Sequence, residues 1–368
     1  MLIQMKLHYL LSLALITFLL TATMAFPQQS SNNIFNAKKF YSLTLNGDIP
    51  EALQLLSAEQ SLMDENELEI KNEFEKRFAG TEDESDFLIR KNSGINALLL
   101  IYRDYWRGSF ISGQNNDTAL KKELTHFFRN LYNSNDYAES SFEDDTLDVF
   151  LRRYVNDNGL KTTGFGKTGK FYDLLVWKDE QDTVYEFDLN RRKISPKVVF
   201  MTGFVTLGWE EYATLGKYYP GGWATKEAIF CVKDAYDLNS ENFLVSYLAH
   251  EGQHFEDYKL FPKLSSTDLE YRAKLVELSM ANETLLKTLT FFINNADYES
   301  DNAHNVANYC VVRDLSKEIF ETEFVNDAEK WSALSLKNIN EASLKLLEKN
   351  TVDLMNEGSE VVNFIKPQ

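Results

Sequence analysis

Cysteine is almost missing from this chain: Cys231 and Cys310 are the only two in 368 residues. Two cysteines build no disulfide framework, and their spacing matches no metal-binding pattern. They are either a single disulfide of an exported protein or two buried thiols. Basic residues are also short, with 38 Lys and Arg against 56 Asp and Glu and a formal net charge of −18. A phosphate backbone needs a basic surface, so this balance argues against nucleic acid as a partner. Long apolar runs are absent after the first residues. The start, MLIQMKLHYLLSLALITFLLTATMA, has Lys6, an apolar core from Leu10 to Leu20, and Thr23-Met24-Ala25 before Phe26. Residues 1–25 read as a signal peptide, with no Cys near the cleavage position for a lipid anchor. The expectation is a secreted or periplasmic protein with no stable membrane insertion after cleavage. Histidine is scarce as well. There are five, one of them in the leader, and two of the other four stand four residues apart.

The rest of the chain is long enough for two domains or one large one. Residues 26–159 read as a helical region. AKKFYSLTLNGDIPEALQLLSAEQ suggests a helical hairpin with Asp48 and Pro50 at a helix start. It looks like one tetratricopeptide unit, without a second copy at a fixed period. Further helices are expected near 64–79, 86–108, 117–131 and 144–157. In INALLLIYRDYWRGSF the aromatic residues fit a core better than a substrate wall, and His126 fits a structural helix position. Residues 159–170, GLKTTGFGKTGK, read as a linker. Their GKT is no phosphate loop, because Lys161 occupies the position of the required first glycine and a strand follows where a helix is needed.

Beyond 160 the pattern turns to β. FYDLLVW and TVYEFDL flank KDEQD, a candidate hairpin turn, and PKVVFMTGFV and ATKEAIFCVKD supply a third and fourth strand. After Pro262, LSSTDLEYRAKLVELSMANETLLKTLTFFIN reads as one long helix, and more helices follow. The expected fold is α+β and mainly helical. An N-terminal helical region precedes a small three- to four-stranded sheet, which feeds a central helix and a C-terminal helical bundle.

That central helix, within FLVSYLAHEGQHFEDYKLF, carries His250-Glu251-Gly252-Gln253-His254. Residues four apart share a helix face, so the two imidazoles meet one point. A tetrahedral zinc takes its first two nitrogen ligands at this spacing. Glu251 is then placed as general base toward a water at the metal. Gly252 weakens the helix and allows close approach by a substrate or a neighbouring strand. A catalytic zinc needs a third protein ligand. Glu270 on the next helix is within reach of a chain that turns at Pro262, while Glu277, Asp257 and Asp268 stay open as alternatives. Thr267-Asp268-Leu269-Glu270 is also a capping box, which would give Glu270 a purely structural task.

HEGQH, a leader peptide and a downstream Glu270-x-x-Ala273 together resemble the gluzincin-type, thermolysin-like zinc metallopeptidases over about residues 220–280. The resemblance implies a zinc held by His250, His254 and Glu270, with Glu251 as catalytic base. It also implies that Ala228–Val232, with Ala228 and Phe230, is a sheet-edge strand pairing with an extended peptide. Many members carry an Asp four residues after the ligand Glu, holding one His from behind. This sequence has Lys274 there, so that partner is unassigned. The oxyanion needs a further donor, for which His304 and Tyr309 are candidates, with Arg313 for a substrate carboxylate. The activity expected is an exported zinc metallopeptidase acting on peptides or proteins. Two other readings use the same residues: a zinc hydrolase of non-peptide amides or esters, and a degenerate peptidase fold serving as a binding protein.

Overall fold

Asp48 and Pro50 do start a helix: Ala37–Asn46 (α1) turns back into Ile49–Ala58 (α2). This is the first feature of the computed structural model, which describes residues 34–81, 93–132, 142–189, 192–300 and 302–366. The signal-peptide reading of residues 1–25 lies outside them. Glu65–Phe78 (α3), Ser93–Ser112 (α4), Asp117–Tyr132 (α5) and Asp144–Asp157 (α6) follow. Asp64 and Glu67 cap α3 reciprocally, as a capping box should. In α4, Tyr102, Tyr105 and Trp106 are buried and form part of the N-terminal core. That core does not stop at residue 159. It also takes in Phe171, Tyr172, Leu174 and Val176, and Trp209 and Tyr212 of the short helix Trp209–Ala213 (α7).

The middle of the chain makes several small sheets. The largest has four strands, Asp179–Val184 (β1), Lys197–Thr202 (β2), Gly222–Ala224 (β3) and Ile229–Val232 (β4), in the order β3-β4-β2-β1. β4 runs parallel to β2 and antiparallel to β3. KDEQD is therefore a correction. Its residues begin β1, an exposed edge strand antiparallel to β2, and are no hairpin turn. A strand with one free edge and little to bury is kept charged, which hides it from a hydrophobic-alternation reading. FYDLLVW and TVYEFDL likewise do not pair with each other. Phe171–Asp173 pairs with Gly166–Thr168, and Leu175–Trp177 with Lys161–Thr162 and Thr206–Leu207.

One face of the four-stranded sheet packs Val198, Phe200, Ile229 and Cys231 against Phe243, Tyr247, Leu248 and Phe255 of the central helix. That helix enters as a π-helix, Asn242–Ala249, and continues as His250–Leu260 (α8). Wide turns of this kind collect at functional positions in helices. Tyr247 Oη donates to the Phe230 carbonyl at 2.6 Å and ties the π-segment to β4. Gly252 is where the hairpin of Phe187–Leu189 and Arg192–Ile194 presses on α8. A Cβ there would lie 2.8 Å from Phe187 Cζ and 3.0 Å from Ile194 Cδ1.

The expected single long helix after Pro262 is two, Ser266–Met280 (α9) and Leu285–Asn294 (α10). The break has a cause. Glu241 accepts the backbone N–H groups of Asn282 (2.9 Å), Glu283 (3.1 Å) and Thr284 (2.8 Å), so these donors start a new helix. Ala303–Phe320 (α11), Ala328–Ser332 (α12) and Leu336–Glu357 (α13) complete the bundle. Its core joins α9, α10, α11 and α13 around Leu275, Leu289, Val311 and Leu347. No helix among the described residues is long and apolar enough to cross a membrane.

The joint between α8 and α9 is ionic. Arg272 and Asp257 both have fully buried side chains and meet in two parallel bonds, Nε to Oδ2 at 2.8 Å and Nη2 to Oδ1 at 2.9 Å. Gln253 donates to the same carboxylate, and Arg272 donates on to Asn350 and Thr351 of α13. Asp257, a candidate metal ligand by sequence, is thus fully engaged here. Removing one member strands a buried charge. Arg272→Met is expected to lower unfolding free energy by about 3–5 kcal/mol, read as a shifted urea midpoint. An unchanged midpoint would show that the pair is not needed to hold α8 and α9 together.

Candidate metal centre

The helical spacing and the turn at Phe261-Pro262 set this site. α8 presents His250 and His254 on one face, and α9 returns alongside to bring Glu270 level with them. The N-cap of α9 is Ser265, whose side chain accepts from Asp268 N. The capping register is two residues earlier than Thr267 would set, so Glu270 has no capping task. Asp268 is not at the metal group either. Its carboxylate accepts from Phe364 N (3.2 Å) and Ile365 N (2.7 Å) of the C-terminal tail.

His250, His254 and Glu270 form a buried group whose ligand atoms all lie within 4.8 Å of one another. His250 Nε2 and His254 Nε2 are 3.1 Å apart, His254 Nε2 is 3.3 Å from Glu270 Oε1, and His250 Nε2 is 3.6 Å from Glu270 Oε2. Bond lengths of about 2.0–2.1 Å at tetrahedral angles put ligand atoms roughly 3.3 Å apart. The three distances bracket that value. Two imidazole nitrogens and one carboxylate suit a first-row transition ion, whereas calcium and magnesium want oxygen shells.

Glu277 explains how the imidazoles are aimed. Its Oε1 lies 2.6 Å from His250 Nδ1. With the Nδ1 proton given to that carboxylate, the Nε2 lone pair points into the group. A lone pair facing a carboxylate at 3.6 Å calls for a cation between them. Burial resists charging His250, but Glu270 and Glu277 outweigh it and lift its pKa to about 10. Burial likewise resists ionising Glu270, yet His250, His254 and His304 hold it well below the usual carboxylate range. Two buried atoms, Glu270 Oε2 and His254 Nδ1, accept or donate no hydrogen bond of good geometry. Glu270 Oε2 has His304 Nδ1 at 2.8 Å and His250 Nε2 at 3.6 Å around it, a position that suits a carboxylate ligand.

Glu277 therefore stands behind His250, not at the metal position. It takes the task that the resemblance leaves open at Lys274. Glu270, Lys274 and Glu277 share one face of α9 at helical spacing. That spacing was the available signal for Glu277. Lys274 is buried, 3.7 Å from Glu270 Oε2, with its Nζ 4.7 Å from the Phe292 ring centre.

The remaining expected site residues divide. Glu251 is half-buried and makes no hydrogen bond or ion pair among the described residues. Its charge acts on Cys231, Tyr236, Tyr247 and Tyr258, which sets it on the sheet-facing side of α8. His304, near the N-terminus of α11, reaches the group: its Nδ1 is 2.8 Å from Glu270 Oε2, and its side chain is 59% exposed. Tyr309 does not arrive. It stacks on Phe324 at 5.2 Å and lies against Tyr298, inside the C-terminal bundle. Arg313 is taken up by Asp314 (2.7 Å) and the Lys366 carbonyl (2.7 Å).

The Ala228–Val232 strand is a further correction. β4 is flanked by β3 and β2, so its backbone is already paired on both sides, and Gly222–Ala224 is the edge on its side of the sheet. Ala228 is buried. Phe230 stacks on Trp223 at 5.4 Å, in the cluster on the sheet face away from α8. Cys231 and Cys310 are both buried and free, one in β4 and one in α11.

No family model matches the chain, and no curated protein or solved structure does either. Glu277→Ala is expected to weaken zinc binding by about 10- to 100-fold with the three ligands unchanged, measured by chelator competition. Undiminished affinity would remove Glu277 from the site.

Proposed function

We propose that this chain is a zinc-dependent hydrolase of peptide bonds, an exported metallopeptidase of gluzincin type. One observation carries the reading: His250, His254 and Glu270 converge on a single point, and Glu251, next to His250 in the chain, makes no hydrogen bond or ion pair among the described residues. A purely structural ion gains nothing from an adjacent free base, and structural sites are closed by four protein ligands. Here three candidate ligands come together among the described residues, which would leave a fourth position for solvent or substrate.

The residues then take the following parts. His250, His254 and Glu270 would hold the ion, with Glu277 fixing the ring of His250. When bound, zinc supplies Lewis acidity toward a scissile carbonyl and toward water. Glu251 removes a proton from the attacking water and later delivers it to the leaving amine nitrogen. His304 faces solvent and keeps Nδ1 on Glu270; in its doubly protonated form its Nε2 would also carry a proton and could donate it to a developing oxyanion. The strand that would pair with an extended substrate is β3, the true sheet edge beside α8. The acidic chain favours encounter with cationic over anionic peptides.

Glu251→Gln is the direct test. The variant is expected to retain about one zinc per chain and to lose peptide hydrolysis by about 100-fold or more. Wild-type turnover in that variant would show that Glu251 is not the base. Absence of stoichiometric zinc after reconstitution of the wild type would end the enzyme reading.

A further inference from the structure

Among the described residues β3 pairs only with β4, and the bonds at its two ends fix its hydrogen-bond register. Val232 N bonds to Gly221 O, and Thr225 N bonds to Ala228 O. Antiparallel partners exchange bonds at alternate positions, so Trp223 is committed to Phe230 between them. The N–H and C=O groups of Gly222 and Ala224 therefore point outward from the sheet. Beside this edge lies a cavity of about 330 Å3. Pro220, Gly222 and Trp223 line one side. Thr163, Gly164 and the strand Gly166–Thr168 line the other, and Asp173 and Leu175 also border it. Among the described residues Gly166–Thr168 pairs only with Phe171–Asp173, so two strands each with an edge unpaired by those residues border the same cavity.

Asp173 is 4% exposed. Its Oδ1 accepts the backbone N–H groups of Leu174 (2.9 Å) and Trp209 (2.8 Å), whereas the buried Oδ2 accepts no hydrogen bond of good geometry. Burial pushes this carboxyl up to about 6, against the pull of its backbone donors and the Thr168 hydroxyl. Glu210 lies near enough to be raised to about 7 by burial and by the charge of Asp173. Lys167 is the cation on the wall, and it is already used: it pairs with Asp117 at 2.5 Å and sits over the Tyr172 ring. Asp173 forms no ion pair among the described residues, and its Oδ2 is free to accept from a cationic head.

We propose that this cavity seats an extended peptide carrying a basic side chain, with the peptide backbone paired to Gly222 and Ala224 and the lysine or arginine head on Asp173. What happens to the peptide afterwards rests on the peptidase reading; its binding does not.

The test separates the two. In the Glu251→Gln protein, the affinities of three extended hexapeptides are measured by calorimetry: an acetylated peptide with one central lysine, its norleucine counterpart, and the norleucine peptide with a free amino terminus. The acetylated lysine peptide is expected to bind about 10- to 100-fold more tightly than the norleucine peptide, as for a hydrogen bond to a charged group. Asp173→Asn in the same background should erase that difference and leave norleucine-peptide binding unchanged. Equal binding of the two acetylated peptides, or a preference that survives Asp173→Asn, overturns the proposal. A preference shown only by the free amino terminus overturns it too, in favour of a chain-end ammonium. If Asp173→Asn does not fold, butylammonium should displace the lysine peptide and not the norleucine peptide, and failure to do so is fatal to the proposal. A lysine preference in a protein whose wild type hydrolyses none of these peptides would sink the peptidase reading and keep this one.

Discussion

Two charges with no solvent exposure, on Arg272 and Asp257, set the crossing of α8 and α9, and the candidate metal centre depends on that crossing. The ligands come from both helices, so a small slide of one past the other would separate His254 from Glu270. A hydrophobic contact is non-directional and tolerates such a slide. A bidentate guanidinium–carboxylate pair does not, because both bonds must keep their length and plane together. The pair lies three residues after His254 and two after Glu270 in sequence, close enough for its geometry to be transmitted to them. Gln253, Asn350 and Thr351 satisfy the remaining polar atoms, and this is the condition under which a buried ion pair is tolerated.

The centre itself is a case of excess buried negative charge. Glu270 and Glu277 face two imidazoles from one side of α9, with Lys274 between them. Lysine at that position is at first sight unfavourable near a cation. It stands 3.7 Å from Glu270 and close to the Phe292 ring, so its charge offsets part of the second carboxylate rather than competing for the centre. Glu277, seven residues after Glu270, lies on the same face of α9 and reaches His250 Nδ1 at 2.6 Å.

Much of this was legible from spacing. The four-residue interval fixed His250 and His254 on one face, and the length of chain around Pro262 pointed to Glu270. The type and rough limits of the N-terminal helices followed from periodicity and caps. What was not legible depended on partners distant in sequence. Nothing near Thr267 shows that Ser265 is the cap, and nothing near Asp257 shows Arg272 closing on it. The break between α9 and α10 is made by Glu241, roughly forty residues earlier. The resemblance implies an edge at β4, and the strand that lies outside it, Gly222–Ala224, sits in a glycine- and aromatic-rich stretch that does not read as a strand. Tyr309 and Arg313 were drawn to the site by residue type alone, and packing claims both elsewhere.

Glu241 has a mechanical consequence. It begins the continuous helical run that carries His250 and His254, and it holds that end to the start of α10 through three backbone donors. Asp257 holds the other end to α9. The run is thus a beam clamped at both supports, with the two imidazoles at mid-span. Bending of such a beam needs both clamps to yield together. The donor atoms are held still by anchors outside the centre, and an arriving ion meets a frame that is already stiff.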